Sequence, residues 1–512
     1  MDHLKRLDGF ANPADPAPSG DRVRPTVLPA PETPRGASLQ NVFCDSLLSV
    51  EPPLDLADGL GYDGGDLHFE GISLPALAAR LPTPFFLLSE RRLRANYRGL
   101  ETGLARAGEG APVLRYCAKT NPEAAILETL ADCGSHLLAS HAAEVALALR
   151  CGFPPGRIAF ARPGLGRAEL AAVLAAGVPL VHVHQPADLP LLEEEAARAG
   201  RPVRLSFRLR SGASRLSPFG GLHRRHGLDP DELVAAARRA AASPWLEPAG
   251  VNFYLGTQQS SLDGFTRELR RVLALLERIA RETGAEIGEV NLGGGLPSPT
   301  LRKVGPRDLW ARLGDRPGRP APGPSADLAS RVAERFRELA AGCRLSRPPA
   351  LTAEPGRSIA GNAALLVSRV TASRGRWLFL DASRAFLPES SLLFSRRLLP
   401  LRRGGGPEGF RHLSGGTLNT LDVLDFHRRL PALAPGDALA FCDAGAYSLG
   451  RASRYACLPP AVYLLRENGA VRPVRRAEGV EDLAGAMLFR EDDPAPVPAG
   501  AAAPVEELEV EA

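Results

Sequence analysis

Val113-Leu114-Arg115-Tyr116-Cys117-Ala118-Lys119-Thr120-Asn121-Pro122 is the stretch on which the fold turns. An apolar run ends at a lysine, and Thr-Asn-Pro breaks the chain before the next helical pattern. The reading is a strand that delivers an amine at its carboxyl end, where barrel enzymes keep reactive groups. Only Lys5, Lys119 and Lys303 are lysines among 62 basic residues. Where arginine serves for charge, a retained lysine points to amine chemistry. An amine can shed its proton and condense with an aldehyde, whereas a guanidinium stays charged. Lys5 lies in a polar arm and Lys303 in a Pro/Gly-broken stretch, which leaves Lys119 as the candidate.

Outward from this stretch, short apolar runs alternate with helical ones. Strands are expected at Phe85–Leu88, Val113–Ala118, His136–Ala139, Arg157–Ala161, Leu180–His184, Val203–Leu209, Gly250–Leu255 and Glu286–Leu292. Amphipathic stretches such as SLDGFTRELRRVLALLERIARETG separate them. Eight strands, each followed by a helix, predict an α/β fold with a (β/α)8 barrel over residues 80–345. A doubly wound open sheet is the alternative. From 346 to 490, runs such as LLVSRVTAS and GDALAFCDAG predict a β-rich domain, to which 43–79 adds a segment. Residues 1–42 and 491–512 are rich in Pro, Ala and charge and are expected to be disordered.

The 512 residues are 44% hydrophobic and 23% charged, with a net charge of +4. That describes a globular chain with ample core. No basic block is interleaved with aromatics, which argues against nucleic-acid binding. No run of roughly 18 apolar residues exists, so no membrane span is expected. The seven cysteines are scattered and odd in number. They predict reduced thiols in a cytoplasm and no metal site. The first 40 residues hold no apolar signal segment.

Four further motifs fall in step with Lys119. Asn291-Leu292-Gly293-Gly294-Gly295 ends the last expected barrel strand; three glycines are either a plain loop or a cradle of N–H groups for an anion. Glu354-Pro355-Gly356-Arg357 is either a surface ion pair or a carboxylate and a phosphate-binding guanidinium with separate tasks. Asp443-Ala444-Gly445-Ala446-Tyr447 ends a strand with a tyrosine that is packed or donates to phosphate. Tyr254 precedes Gly256-Thr257, which offers an N–H and a hydroxyl. An imine-forming lysine, a phosphate cup and an acid for a ring nitrogen together suit pyridoxal 5'-phosphate.

The motifs YCAKTNP, GVNFYLGTQ, VNLGGG, EPGRSIAGNAALLVSRV and FCDAGAYSLGRASRY stand in the order of the fold-type III decarboxylases. The chain resembles that family, which includes diaminopimelate, ornithine and arginine decarboxylases, from about Gly71 to Leu465. The resemblance implies an alanine-racemase-like barrel followed by a mostly β domain. It implies that Lys119 carries the cofactor and Glu354 pairs with its pyridine nitrogen. Gly293, Gly294, Gly295, Thr257, Arg357 and Tyr447 would ring the phosphate. A homodimer with shared sites is implied as well.

The departures concern the substrate. The ring-stacking histidine of the family is Tyr254 here, and a phenol can still stack. The C-[DE]-S-x-D motif appears as Leu418-Asn419-Thr420-Leu421-Asp422. The protonating cysteine is thus Leu418, and the acid that reads a distal group is Asn419. Leu137 stands at about the place of an early aspartate. Arg396 and Arg397 are either acceptors for an anionic tail or a solvated basic pair. The expected activity is decarboxylation of a non-standard α-amino acid, free or carrier-bound, through a Lys119 Schiff base and a quinonoid intermediate. Catalysis would rest on Lys119, Glu354 and Tyr254. Racemisation on the same scaffold and a non-catalytic cofactor-binding partner are the alternatives.

Overall fold

The computed structural model describes residues 59–108, 111–211, 226–304, 322–389, 394–404, 408–485 and 487. The expected disordered arm and tail lie outside these residues. Eight parallel strands close a barrel: Val113–Cys117, His136–Ala139, Ile158–Ala161, Leu180–Val183, Val203–Arg208, Leu246–Asn252, Glu289–Asn291 and Ala350–Ala353. The last pairs with the first, Thr352 opposite Val113.

Helices follow the strands for local reasons. The helix Leu262–Thr283 starts where Ser261 accepts from the Gly264 N–H and stops at Gly284, whose φ of +74° suits glycine. The helix Pro230–Ala242 opens on a reciprocal box between Asp229 and Glu232. Both pack their apolar stripes into the core that surrounds the barrel.

Two strand assignments differ from the expectation. Phe85–Ser89 forms a strand, but outside the barrel: it pairs with Ala364–Val367 and with Ala461–Leu465 in a nine-stranded sheet. Its faces are both apolar because each meets a different core. Phe86 and Leu88 join the barrel-side cluster, and Phe85 and Leu87 join that of the second sheet. An unbroken apolar run marks a doubly buried strand without naming its sheet. The eighth barrel strand is instead Ala350–Ala353, only four residues long and directly followed by Glu354. The glycine triplet therefore follows the seventh strand, and the Glu-Pro-Gly-Arg turn follows the eighth.

The second sheet is organised around the long strand Ala364–Arg374, which pairs with three others. The small sheet Leu60–Ser73 and the helix Leu74–Arg80 pack on it through Leu67, Phe69 and Leu77. No helix among the described residues is long and apolar enough to cross a membrane.

Candidate active site

Side chains alternate along each barrel strand, so residues two apart point inward together. One side of the barrel interior is apolar, with Cys117, Leu138, Ala159 and Leu180 in a small cluster. The other side is polar. Arg115 forms a buried fork on Glu289, at 2.9 and 2.8 Å, and Thr352 adds a hydroxyl at 3.0 Å. Above this pair, Asn291 Nδ2 donates to Glu354 Oε1 at 2.8 Å. Burial pushes the Glu354 carboxyl above its ordinary range, while Arg115, the Asn291 amide and Arg208 oppose that rise.

These strands end in a cavity of about 460 Å³, lined in part by Lys119, His182, Arg208, Tyr254, Glu354 and Tyr447. Lys119 rises into it from the turn Ala118–Thr120 that ends the first strand. Thr257, Gly294, Gly295 and Arg357 form one wall. The tight backbone there depends on glycine: Gly293 and Gly295 have φ of +65° and +102°. A Cβ on either would strike the carbonyl oxygen of Phe253 or Gly256. The Arg357 guanidinium lies 4.8 Å from the Tyr447 ring centroid, and its buried Nε has no partner among the described residues. Tyr447 is held in place from below, its N–H donating to Thr120 O at 2.8 Å. Tyr254 carries Arg208 at 5.5 Å over its ring, and burial pushes its phenol up to about 12.

Lys119, Tyr254, Thr257, Gly294, Gly295, Glu354, Arg357 and Tyr447 thus share one cavity, with Gly293 shaping the turn behind it. The candidate substrate residues do not join them. Asn419 lies in an exposed turn, where its side chain accepts from the Leu421 N–H at 2.9 Å, and Leu418 is fully exposed beside it. Arg396 and Arg397 are buried rather than solvated. Arg396 donates to Glu389 at 2.7 Å, and Arg357 grips the same carboxylate with both terminal nitrogens. On the second strand, Leu138 rather than Leu137 faces the cavity, since Leu137 packs outward among the helices.

Sequence reasoning passed over His182, His184, Arg208, Asn252, Asn291 and Glu389. All but Glu389 stand within strands that were expected, as polar residues in apolar runs, and that was the available signal. Neither ring nitrogen of His184 is hydrogen-bonded by a described residue, and the ring meets that of His226 edge-on, with centroids 6.1 Å apart.

A glycine cradle, an orphaned guanidinium nitrogen and a buried carboxylate opposite a lysine fit pyridoxal phosphate. Residues 98–361, just over half of the chain, match the family model for the pyridoxal-binding domain of pyridoxal-dependent decarboxylases. The chain belongs to that family. Its cofactor is pyridoxal 5'-phosphate, and its class is the carboxy-lyases that depend on it. The chain is 29% identical over 446 residues to diaminopimelate decarboxylase of Pseudomonas aeruginosa, covering 84% of this chain and 99% of that one. It is 25% identical over 431 residues to the Aquifex aeolicus enzyme of the same name, covering 82% and 96%. Among solved structures, diaminopimelate decarboxylase from M. jannaschii superposes with a TM-score of 0.75 at 23% identity, over 85% of this chain and 98% of that one. The fold expected for a fold-type III decarboxylase is therefore the one observed.

Proposed function

We propose that the protein decarboxylates an α-amino acid whose side chain carries a carboxylate. The convergence of Lys119, Glu354 and the glycine-lined wall on one cavity carries the reading. In it, Lys119 holds the cofactor and moves the proton at Cα, while Glu354 faces the pyridine nitrogen. Tyr254 packs on the ring, and Thr257, Gly294, Gly295, Arg357 and Tyr447 receive the phosphate. When bound, pyridoxal phosphate supplies the electron sink for carbon dioxide release.

The charge of the cavity supports the substrate class. Lys119, Arg162 and Arg208 line it, and Glu354 is the only acid among the described lining residues. A side chain ending in a lone ammonium finds no partner there, and Asn419 offers no charge either. The relatives named diaminopimelate decarboxylase weigh toward diaminopimelate, which carries a distal carboxylate. Leu418 and Asn419 weigh toward a substrate outside the family's usual set. We also place the protein in a cytoplasm, where its thiols stay reduced, and in a homodimer whose partner covers the exposed Leu418 turn.

A screen of the holoprotein against meso-diaminopimelate, glutamate, lysine, ornithine and arginine, reading carbon dioxide release, tests the substrate class. Release from lysine or ornithine in preference to the acidic substrates sinks it. Lys119 and Tyr254 both line the cavity, which favours racemisation as the second reading. Loss of chirality in D2O without carbon dioxide would establish that one instead.

A further inference from the structure

Glu354 stands at the end of a chain of side chains whose donor and acceptor roles are forced in turn. Arg208 has only donors, and its Nη1 donates to Asn252 Oδ1 at 3.1 Å. That contact fixes which end of the amide is oxygen. Asn252 Nδ2 therefore faces Ser206 Oγ at 3.1 Å and His182 Nδ1 at 3.0 Å. An N–H aimed at Nδ1 requires a lone pair there, so the neutral ring carries its proton on Nε2. Nε2 lies 3.1 Å from Glu354 Oε1.

The same carboxylate oxygen accepts from Asn291 Nδ2 at 2.8 Å, and Asn291 Oδ1 in turn accepts from the Gly293 N–H at 2.8 Å. One oxygen of Glu354 is thus approached from two strands. No hydrogen bond from a described residue reaches the other. The His182 N–H is near Oε1 but not aligned with it. A slight turn of the ring or the carboxylate closes the contact, as catalytic hydrogen bonds do when a site fills.

We propose that Arg208, Asn252 and His182 form a positioning relay that fixes His182 as its Nε2–H tautomer and pins Oε1 of Glu354, leaving Oε2 for the pyridine nitrogen of the cofactor. The proposal rests on Glu354 being the partner of that nitrogen and adds the device that aims it. Burial, with Arg115 and Arg208 nearby, holds His182 down at about 3. The ring is accordingly neutral in the working range. A charged imidazolium would compete with the pyridinium for the same carboxylate.

The first measurement needs no cofactor. In protein labelled with 15N-histidine, the His182 resonances are expected to show Nε2 protonated and Nδ1 bare. Asn252→Asp is expected to reverse this, because a carboxylate accepts from both Arg208 and an Nδ1–H. The second uses cofactor labelled at the ring nitrogen. His182→Leu is expected to move that resonance toward the unprotonated position and to weaken cofactor binding about tenfold, as loss of outer hydrogen-bond partners does elsewhere. His182→Gln, which offers an amide N–H, is expected to restore most of both. An Nδ1–H tautomer in the parent protein overturns the relay. So does a His182→Leu protein that folds and keeps the resonance and the affinity within twofold. Should His182→Leu fail to fold, the tautomer and its reversal by Asn252→Asp still decide. Glu354→Gln separates the two layers. If it leaves the ring-nitrogen resonance unmoved, the partner assignment fails; if it moves the resonance and His182→Leu does not, only the relay fails.

Discussion

The wall that would receive the phosphate and the segment expected to read the substrate are built on opposite principles. The first is rigid backbone: glycines pressed against carbonyl groups, and Tyr447 tied to the first barrel strand through Thr120. The second combines the buried pair of Arg396 and Glu389 with an exposed turn at Leu418. Preorganised backbone suits one unchanging group, because its cost is met once, in folding. The exposed turn makes no comparable commitment within one chain. Under the proposed reading, cofactor recognition is intrinsic to the subunit, whereas the substrate end awaits a further surface.

Four experiments probe that contrast, in order of expected effect. Lys119→Ala is expected to remove the long-wavelength absorbance of bound cofactor and to lower turnover by about a thousandfold or more, since no other amine among the lining residues replaces it. A surviving absorbance band would move the reactive amine elsewhere. Next is Glu389→Gln, which leaves two buried guanidinium groups short of a partner. Breaking a buried pair costs about 3–5 kcal/mol, so denaturant melts are expected to show a clear loss of stability. A neutral result would mean the cluster relaxes as freely as a surface one.

Gly293→Ala tests the rigid wall, where the new methyl meets the Phe253 carbonyl at a positive φ. The expected cost is about 1–3 kcal/mol, together with weaker cofactor binding in an absorbance titration. Leu418→Ser is the smallest. In the isolated chain it is expected to change stability by less than about 0.5 kcal/mol, as exposed substitutions do. It is expected to shift dimer dissociation in sedimentation runs, and unchanged dimerisation would detach the turn from any partner.

Acid stability offers a further check on the polar half of the barrel. His182 and His184 sit near pKa values of about 3 and about 2, against 6.5 when unfolded. Between these values the unfolded chain binds protons that the folded chain refuses. Stability is therefore full above about 6.5 and falls as pH drops toward 3. Melting temperatures taken across that range are expected to decline, and the decline should lessen in His182→Gln. Equal slopes for the two proteins would show that His182 does not stay neutral.

Much of this was legible in the chain itself. Lys119 stood out by its rarity, and the glycine triplet, Glu354 and Tyr447 by the apolar runs they end. The exchange of Phe85–Ser89 for Ala350–Ala353 in the barrel was not legible. Both are short buried strands, and an apolar run reports burial on both faces without reporting its neighbours. Nor was the fate of Arg396. Its charge is plain in sequence, but its pairing with Glu389 depends on where two loops are carried.

The order of residues alone determined which side chains alternate along each strand, where glycine is obligatory, and that one amine stands ready at a strand end. Only closure of the barrel decided that His182 and Asn291, from the fourth and seventh strands, meet the Glu354 carboxylate at the end of the eighth, with Asn252 of the sixth behind His182. Period-two alternation sets the face a residue takes, and that is a local matter. Which residues share that face across the barrel is set by strand register, and register arises from hydrogen bonds between segments far apart in the chain.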